Sequence, residues 1–166
     1  MSEQAHSGEV DRLSHVDASG KARMIDVGDK PITRRTAVAT AICTMQLETA
    51  EAIRHNSSRK GDVLQVARLA AIGAAKRTDE LIPLCHSLPL DSVTVEFRWL
   101  EPARLEIATT AAATGRTGVE MEALVAASLA ALTVYDMCKS SDRELSIEKI
   151  ELQSKTGGVR GDFKRS

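Results

Sequence analysis

Aromatic side chains are almost missing from this chain, with one Trp, one Tyr and two Phe among 166 residues. That removes the stacking platform on which single-stranded nucleic acids are held and leaves the core to aliphatic and small side chains. An excess of one charge is lacking as well. With 22 Lys and Arg against 23 Asp and Glu the net charge is −1, so no general field draws the protein to nucleic acid or an anionic membrane. Any anionic ligand must then be held by a local cluster. The cysteines Cys43, Cys85 and Cys138 are odd in number and lack the paired short spacing of a zinc or iron–sulfur site, so they read as reduced thiols. No apolar run approaches the ~20 residues of a transmembrane helix, and the stretch MSEQAHSGEVDRLSH has no hydrophobic signal core. The expectation is a cytoplasmic protein without a membrane or nucleic-acid partner. Neither GxxxxGK(S/T) nor GxGxxG occurs, which argues against a P-loop ATPase and a Rossmann dinucleotide site.

What is present suits one domain: 43% of residues are hydrophobic, with abundant Ala that lets helices lie close on a sheet. Residues 1–22 have no apolar period and read as a mobile leader; residues 23–166 form the single domain, ending in a basic, Gly-rich tail. Met24–Val27 suggests a short strand, and part of Thr33–Met45, rich in β-branched residues and Ala, suggests another. Glu48–His55 reads as a helix closed by the turn-forming HNSSRKG loop. Asp62 is placed to cap a helix that runs to the Pro83 segment, with Val63, Val66, Ala67, Ala70, Ala74 and Arg77 at helical spacing. Ser92–Phe97 and Arg104–Thr109 alternate as a hairpin around the Glu101-Pro102 break. A turn at Thr114–Gly118 precedes a long apolar helix from Val119 to Cys138, and Leu145–Leu152 is a last strand. Helices and strands alternating without repeats predict an α+β sandwich with an antiparallel sheet.

Within this frame LIPLCHSLPL, Leu81 to Leu90, stands out. Pro83 and Pro89 exclude a helix interior, so the segment is stiff and extended around His86. A lone histidine in such a setting is more often a satisfied core or loop residue than a ligand. Cys85 and His86 point apart on an extended chain, which disfavours a thiol–imidazole dyad. On the long helix, Glu122 and Asp136 fall within roughly 40° around the axis but about 21 Å apart along it. Either two sites exist or a neighbouring subunit completes one. Asp136 and Lys139, at i and i+3, can form an ion pair, which on an open surface would be worth little. Glu120 and Glu122 point to different partners, and a first-turn Glu120 is favourable to the helix dipole. Lys60, His86, Arg116, Lys139, Lys155 and Arg160 put cations in or beside turns; the Thr114–Gly118 and Gly157-Gly158 turns offer amides suited to phosphate.

Together these motifs resemble the molybdenum-cofactor biosynthesis protein C (MoaC) family, the cyclic pyranopterin monophosphate synthases. The resemblance rests on Lys60-Gly61-Asp62, AAKRTDELIPLCHSL from Ala74, TGVEMEAL from Thr117, AALTVYDMCK from Ala130 and KTGGVRGDF from Lys155, and runs from about His15 to Phe163. It implies a ferredoxin-like subunit in a homohexamer, a trimer of dimers with interfacial sites, and a phosphorus–oxygen lyase acting on a cyclised GTP intermediate. Carried over by motif, Asp136 is the active-site aspartate, Lys139 its partner, and Lys60 and Lys155 are further active-site lysines. Leu84, Cys85 and His86 match one substrate-binding segment, Met121 and Glu122 another. Ser87 and Thr156 depart from the family's frequent Pro and Ser. The chemistry then gives Lys139 with Asp136, and next Lys60, the proton transfers; His86, Lys155 and Arg116 the triphosphate; and Glu122 the guanine-derived ring. No cofactor is firmly implied; magnesium could accompany the phosphates, but no protein-bound metal is required. A nucleotide-binding regulatory oligomer and a generic nucleotide hydrolase are the other readings of the same residues.

Overall fold

The structure, a computed structural model, describes residues 19–58, 60–159 and 161–166. Most of the predicted leader, with His6 and His15, and the tail cation Arg160 lie outside the described residues. The elements run β1 (Thr33–Thr44), α1 (Leu47–Arg54), α2 (Val63–Ala75), α3 (Thr78–Leu81), β2 (Ser92–Glu101), β3 (Arg104–Gly115), α4 (Glu120–Cys138), β4 (Ser146–Thr156) and β5 (Phe163–Lys164). They form one antiparallel sheet in the order β2-β3-β1-β4-β5, with β1 between β3 and β4. The α+β expectation holds.

Alternation along β1 explains the packing. Residues 37, 39, 41 and 43 point to one face, and Ala37, Ala39, Ala41 and Cys43 are all buried without exposure. Their cross-strand neighbours include Ala111, Ile107 and Leu105 of β3, buried on the same face. Onto this surface of small and branched side chains lies α4, through Ala123, Ala126, Ala127, Ala130 and Ala131, with α2 beside it through Ala67 and Ala71. Alanine on both sides brings the helix close to the sheet. Thr109 links the layers, its hydroxyl donating to Ala123 of α4 at 2.8 Å.

Several boundaries differ from the sequence reading, each for a local reason. Met24–Val27 is irregular rather than a strand, and its backbone turns aside to meet His86. The helix begun at Asp62, whose side chain accepts from Gln65 N, stops at Ala75. There the buried Thr78 hydroxyl donates to the Ala75 carbonyl at 3.0 Å and starts the separate α3. LIPLCHSLPL begins in α3 and a turn, then extends from Cys85 onward. The hairpin strands and β4 are longer than expected, and the tail adds β5. The statement about apolar runs also needs correction: α4, 19 residues at mean hydropathy 1.4, is long and apolar enough to cross a membrane by length and composition. Half of it is buried against the sheet and α2, so its apolar character serves the core.

Candidate active site

The ten residues singled out in the sequence gather at the two ends of α4. At its N-terminal end a cavity of about 360 Å³ takes in Leu84, Cys85, His86, Arg116, Met121, Glu122 and Lys155. At its C-terminal end stand Asp136, Lys139 and Lys60, the last lining a second cleft of about 410 Å³ with Ser57, Ser58, Ser140 and Ser141. The helix between is unbroken, so Glu122 and Asp136 are separated by about 21 Å of axial rise. One subunit therefore carries two separate clefts and does not unite the set.

The first cavity lies at the start of α4, beside Arg35 and Thr36 of β1 and Lys155 and Thr156 of β4. His86 is held there by its surroundings: α3 supplies Asp79, which accepts from the Ser87 hydroxyl, and Asp91 beyond the segment accepts from Thr114 of β3 at 2.8 Å. His86 Nε2–H donates to the Ile25 carbonyl at 2.8 Å. The bond assigns the proton to Nε2 and leaves Nδ1 as the free nitrogen, an acceptor in the neutral ring and a donor only in the imidazolium. Ile25, Val27 and Lys30 of the preceding chain close this side of the cavity.

Glu122 is 4% exposed. Burial is the main reason its carboxyl is pushed up to about 7; a backbone hydrogen bond opposes the shift, and the charges of Glu120 and Asp79 add to it. The Cys85 thiol is raised too, by burial first and then by Glu122 and Asp79. It is therefore held as a thiol, which fits the reading that it forms no dyad with His86. Lys155 is tied to Glu120 at 2.8 Å. The expectation of open amides at the start of α4 is modified by the same glutamate: its carboxylate folds over Gly118, where a Cβ would collide with it.

At the far end the predicted ion pair forms, Lys139 Nζ lying 2.6 Å from Asp136 Oδ1. Both side chains are exposed. The hydrogen bond and charge of Lys139, with Lys60 adding its charge, hold the Asp136 carboxyl below its usual range, and Asp136 raises Lys139 in return. Lys60 Nζ donates to the Asp136 backbone carbonyl at 2.7 Å. Gly61, at φ +88°, makes the turn between Lys60 and the Asp62 cap, a conformation natural to glycine. Buried Asp142 accepts from Gln46 N at 2.7 Å and so fixes the start of α1 beside this cleft.

Sequence reasoning passed over two cations of the first cavity, Lys30 and the buried Arg35. Arg35 is 7% exposed and lines the first cavity. The signal was available: position 35 has the same parity as Ala37, Ala39, Ala41 and Cys43, so an arginine stands in the inward row of the central strand. Among the described residues no group of three His, Cys, Asp or Glu side chains is arranged to hold a metal ion.

The sequence model of the MoaC family matches residues 24–158. The chain is 52% identical over 154 residues to cyclic pyranopterin monophosphate synthase 1 of Mycobacterium tuberculosis (strain ATCC 25618 / H37Rv), covering 93% of this chain and 91% of that protein. It is 54% identical over 161 residues to the cyclic pyranopterin monophosphate synthase of Chloroflexus aggregans, covering 96% and 97%. The like-named protein of Herpetosiphon aurantiacus is 55% identical over 153 residues, covering 91% and 93%.

Proposed function

The chain belongs to the MoaC family, and on that footing we propose that it is a cyclic pyranopterin monophosphate synthase of molybdenum cofactor (molybdopterin) biosynthesis. It converts (8S)-3′,8-cyclo-7,8-dihydroguanosine 5′-triphosphate to cyclic pyranopterin monophosphate and pyrophosphate, and so acts as a phosphorus–oxygen lyase. The observation that carries the reading is the pair of half-clefts: a cation-lined cavity at one end of α4 and an acid–lysine pair at the other. A triphosphate needs the first and a ring rearrangement needs the second.

The roles follow from position. Lys139, hydrogen-bonded to Asp136, exchanges protons with the opening and reclosing ring, and Lys60 beside them is the second candidate. Lys155, Arg116 and His86 face the phosphates, His86 keeping Nε2–H on Ile25 and turning its other ring nitrogen to the ligand. Glu122 accepts from the N–H edge of the guanine-derived ring, with Leu84, Cys85 and Met121 as its walls. In this reading magnesium arrives, where it is needed, on the substrate's phosphates.

Completion of the site calls for a second copy, because one subunit keeps its two ends about 21 Å apart. We read the assembly as a homohexamer, a trimer of dimers with interfacial sites. The order β1-α2-β2-β3-α4-β4 with strands arranged β2-β3-β1-β4 supports a ferredoxin-like subunit. Three free cysteines, two of them buried, suit the cytoplasm. The test is incubation of the protein with the cyclised GTP intermediate, assayed for pyrophosphate and for pterin fluorescence after oxidation. Both products are expected; binding without either would leave a nucleotide-binding regulator instead.

A further inference from the structure

The segment that carries His86 is not fixed by its own backbone. Cys85 N donates to the Ile82 carbonyl at 3.0 Å and Asp91 N to the Ala112 carbonyl at 2.9 Å, but among the described residues no backbone group from His86 to Leu90 bonds to the rest of the protein. Pro83 and Pro89 stiffen themselves and the residues just before them, which leaves positions 86 and 87 unrestrained. Side chains hold the stretch instead. Leu88 and Leu90 pack against the core, His86 Nε2–H reaches the Ile25 carbonyl, and the Ser87 hydroxyl donates to Asp79 Oδ2. Ile25 belongs to an irregular stretch, whereas Asp79 follows the buried Thr78, whose hydroxyl is tied to the end of α2. Asp79 is thus the polar anchor that stands on the helical layer.

Position 87 is also where the chain departs from a frequent proline. A proline there would lock its own φ near about −65° and push the preceding histidine into an extended conformation, without any partner. A serine restrains neither residue. Its amide has no hydrogen-bond acceptor among the described residues, so a ring at this place would cost no bond. What the serine has in exchange is a hydroxyl bonded to a carboxylate, an interaction stronger than that of a neutral pair. Asp79 also stands near the cavity: burial raises the Cys85 and Glu122 acids, and the charge of Asp79 adds to both shifts.

We infer that Asp79 is a positioning residue of this chain, acting through the Ser87 hydroxyl to hold His86 at the cavity where a proline ring would otherwise do so. The inference rests on the synthase reading, because a displaced His86 is felt as weaker hold on the cyclised substrate. It is tested by turnover, by Tm and by the rate of Cys85 alkylation in the intact assembly, Cys43 and Cys138 being buried. Ser87→Ala is expected to raise KM about 3–10-fold with little change in kcat, and to speed Cys85 labelling by a similar factor. Labelling is read in the Ser87 variants, which keep the Asp79 charge and so leave its push on the Cys85 thiol in place. Asp79→Ala should match Ser87→Ala in KM, and the double alanine variant should be no worse than either, since the same bond is lost in all three. Asp79→Asn, which keeps an acceptor oxygen, should fall between. The decisive variant is Asp79→Ala with Ser87→Pro, which should bring KM back to within twofold of wild type. A merely structural pair predicts a lower Tm with KM and labelling unchanged. KM and labelling within twofold of wild type in folded Ser87→Ala overturn the inference, as do additive losses in the double alanine variant or no recovery in the folded proline variant. A wild type without product overturns the synthase reading, while the labelling rates, which need no turnover, still decide whether the pair holds the segment.

Discussion

Glu122 shows how one buried acid makes folding depend on pH. Its carboxyl is pushed from an ordinary 4.5 to about 7, chiefly by burial and further by Glu120 and Asp79. Between those two values the folded state holds a proton that the unfolded chain has given up, so the stability linked to this group falls as pH rises through the window and is level above it. The loss is on the order of 3 kcal/mol. Glu122→Gln removes the titration. Measured against that variant, the wild-type Tm should decline from about pH 4.5 to 7, and parallel curves would remove Glu122 from this role. Glu122 was legible as a residue because it sits in a recognisable motif, but its environment was not, since Asp79 reaches it only through the fold. Arg35 is the converse case. It lies in no quoted motif, and its burial beside the cavity follows from strand parity together with a loop more than a hundred residues later.

The elements were easier to read than their ends. Alternation gave the hairpin, and apolar continuity gave α4 to within one residue of its observed start, because both are repeated signals along the chain. The break after Ala75 was hidden, since it depends on one threonine hydroxyl satisfying a helix carbonyl and on the burial of Thr78 at 2% exposure. The turning aside of residues 24–27 was hidden as well, because the partner is His86, 61 residues away. α4 fixes both half-clefts, and its position depends on alanines that meet β1, β3 and α2 with no exposure. Ala130→Leu adds volume where nothing can give way, at a cost of about 1–3 kcal/mol. For a chain of this size the Tm should drop by roughly 3–10 °C in calorimetry. An unchanged Tm would mean that the helix sits less tightly on the sheet than its burial implies.

At the scale of the whole molecule, the separation along α4 becomes a statement about stoichiometry. Axial rise alone put Glu122 and Asp136 about 21 Å apart, and the unbroken helix bears that out, so the choice between two sites and one site completed by a neighbouring subunit was legible before any fold was known. The contact that puts Lys60 at this end needed the fold: its ammonium donates to the Asp136 carbonyl, away from the cavity at the other end of α4. That grouping decides how inactive subunits complement. His86→Ala disables the N-terminal half-cleft and Asp136→Asn the C-terminal one. In an equal, fully exchanged mixture, half of the two-fold pairs contain one subunit of each kind, and each such pair builds one intact site and one doubly defective site. About a quarter of wild-type activity should return. Lys60→Ala mixed with Asp136→Asn cannot recover, because both changes lie in the same half and every site inherits one of them. Subunit exchange is followed by mass spectrometry of tagged chains. Recovery in the second mixture, or none in the first once exchange is verified, would require a site built within one subunit.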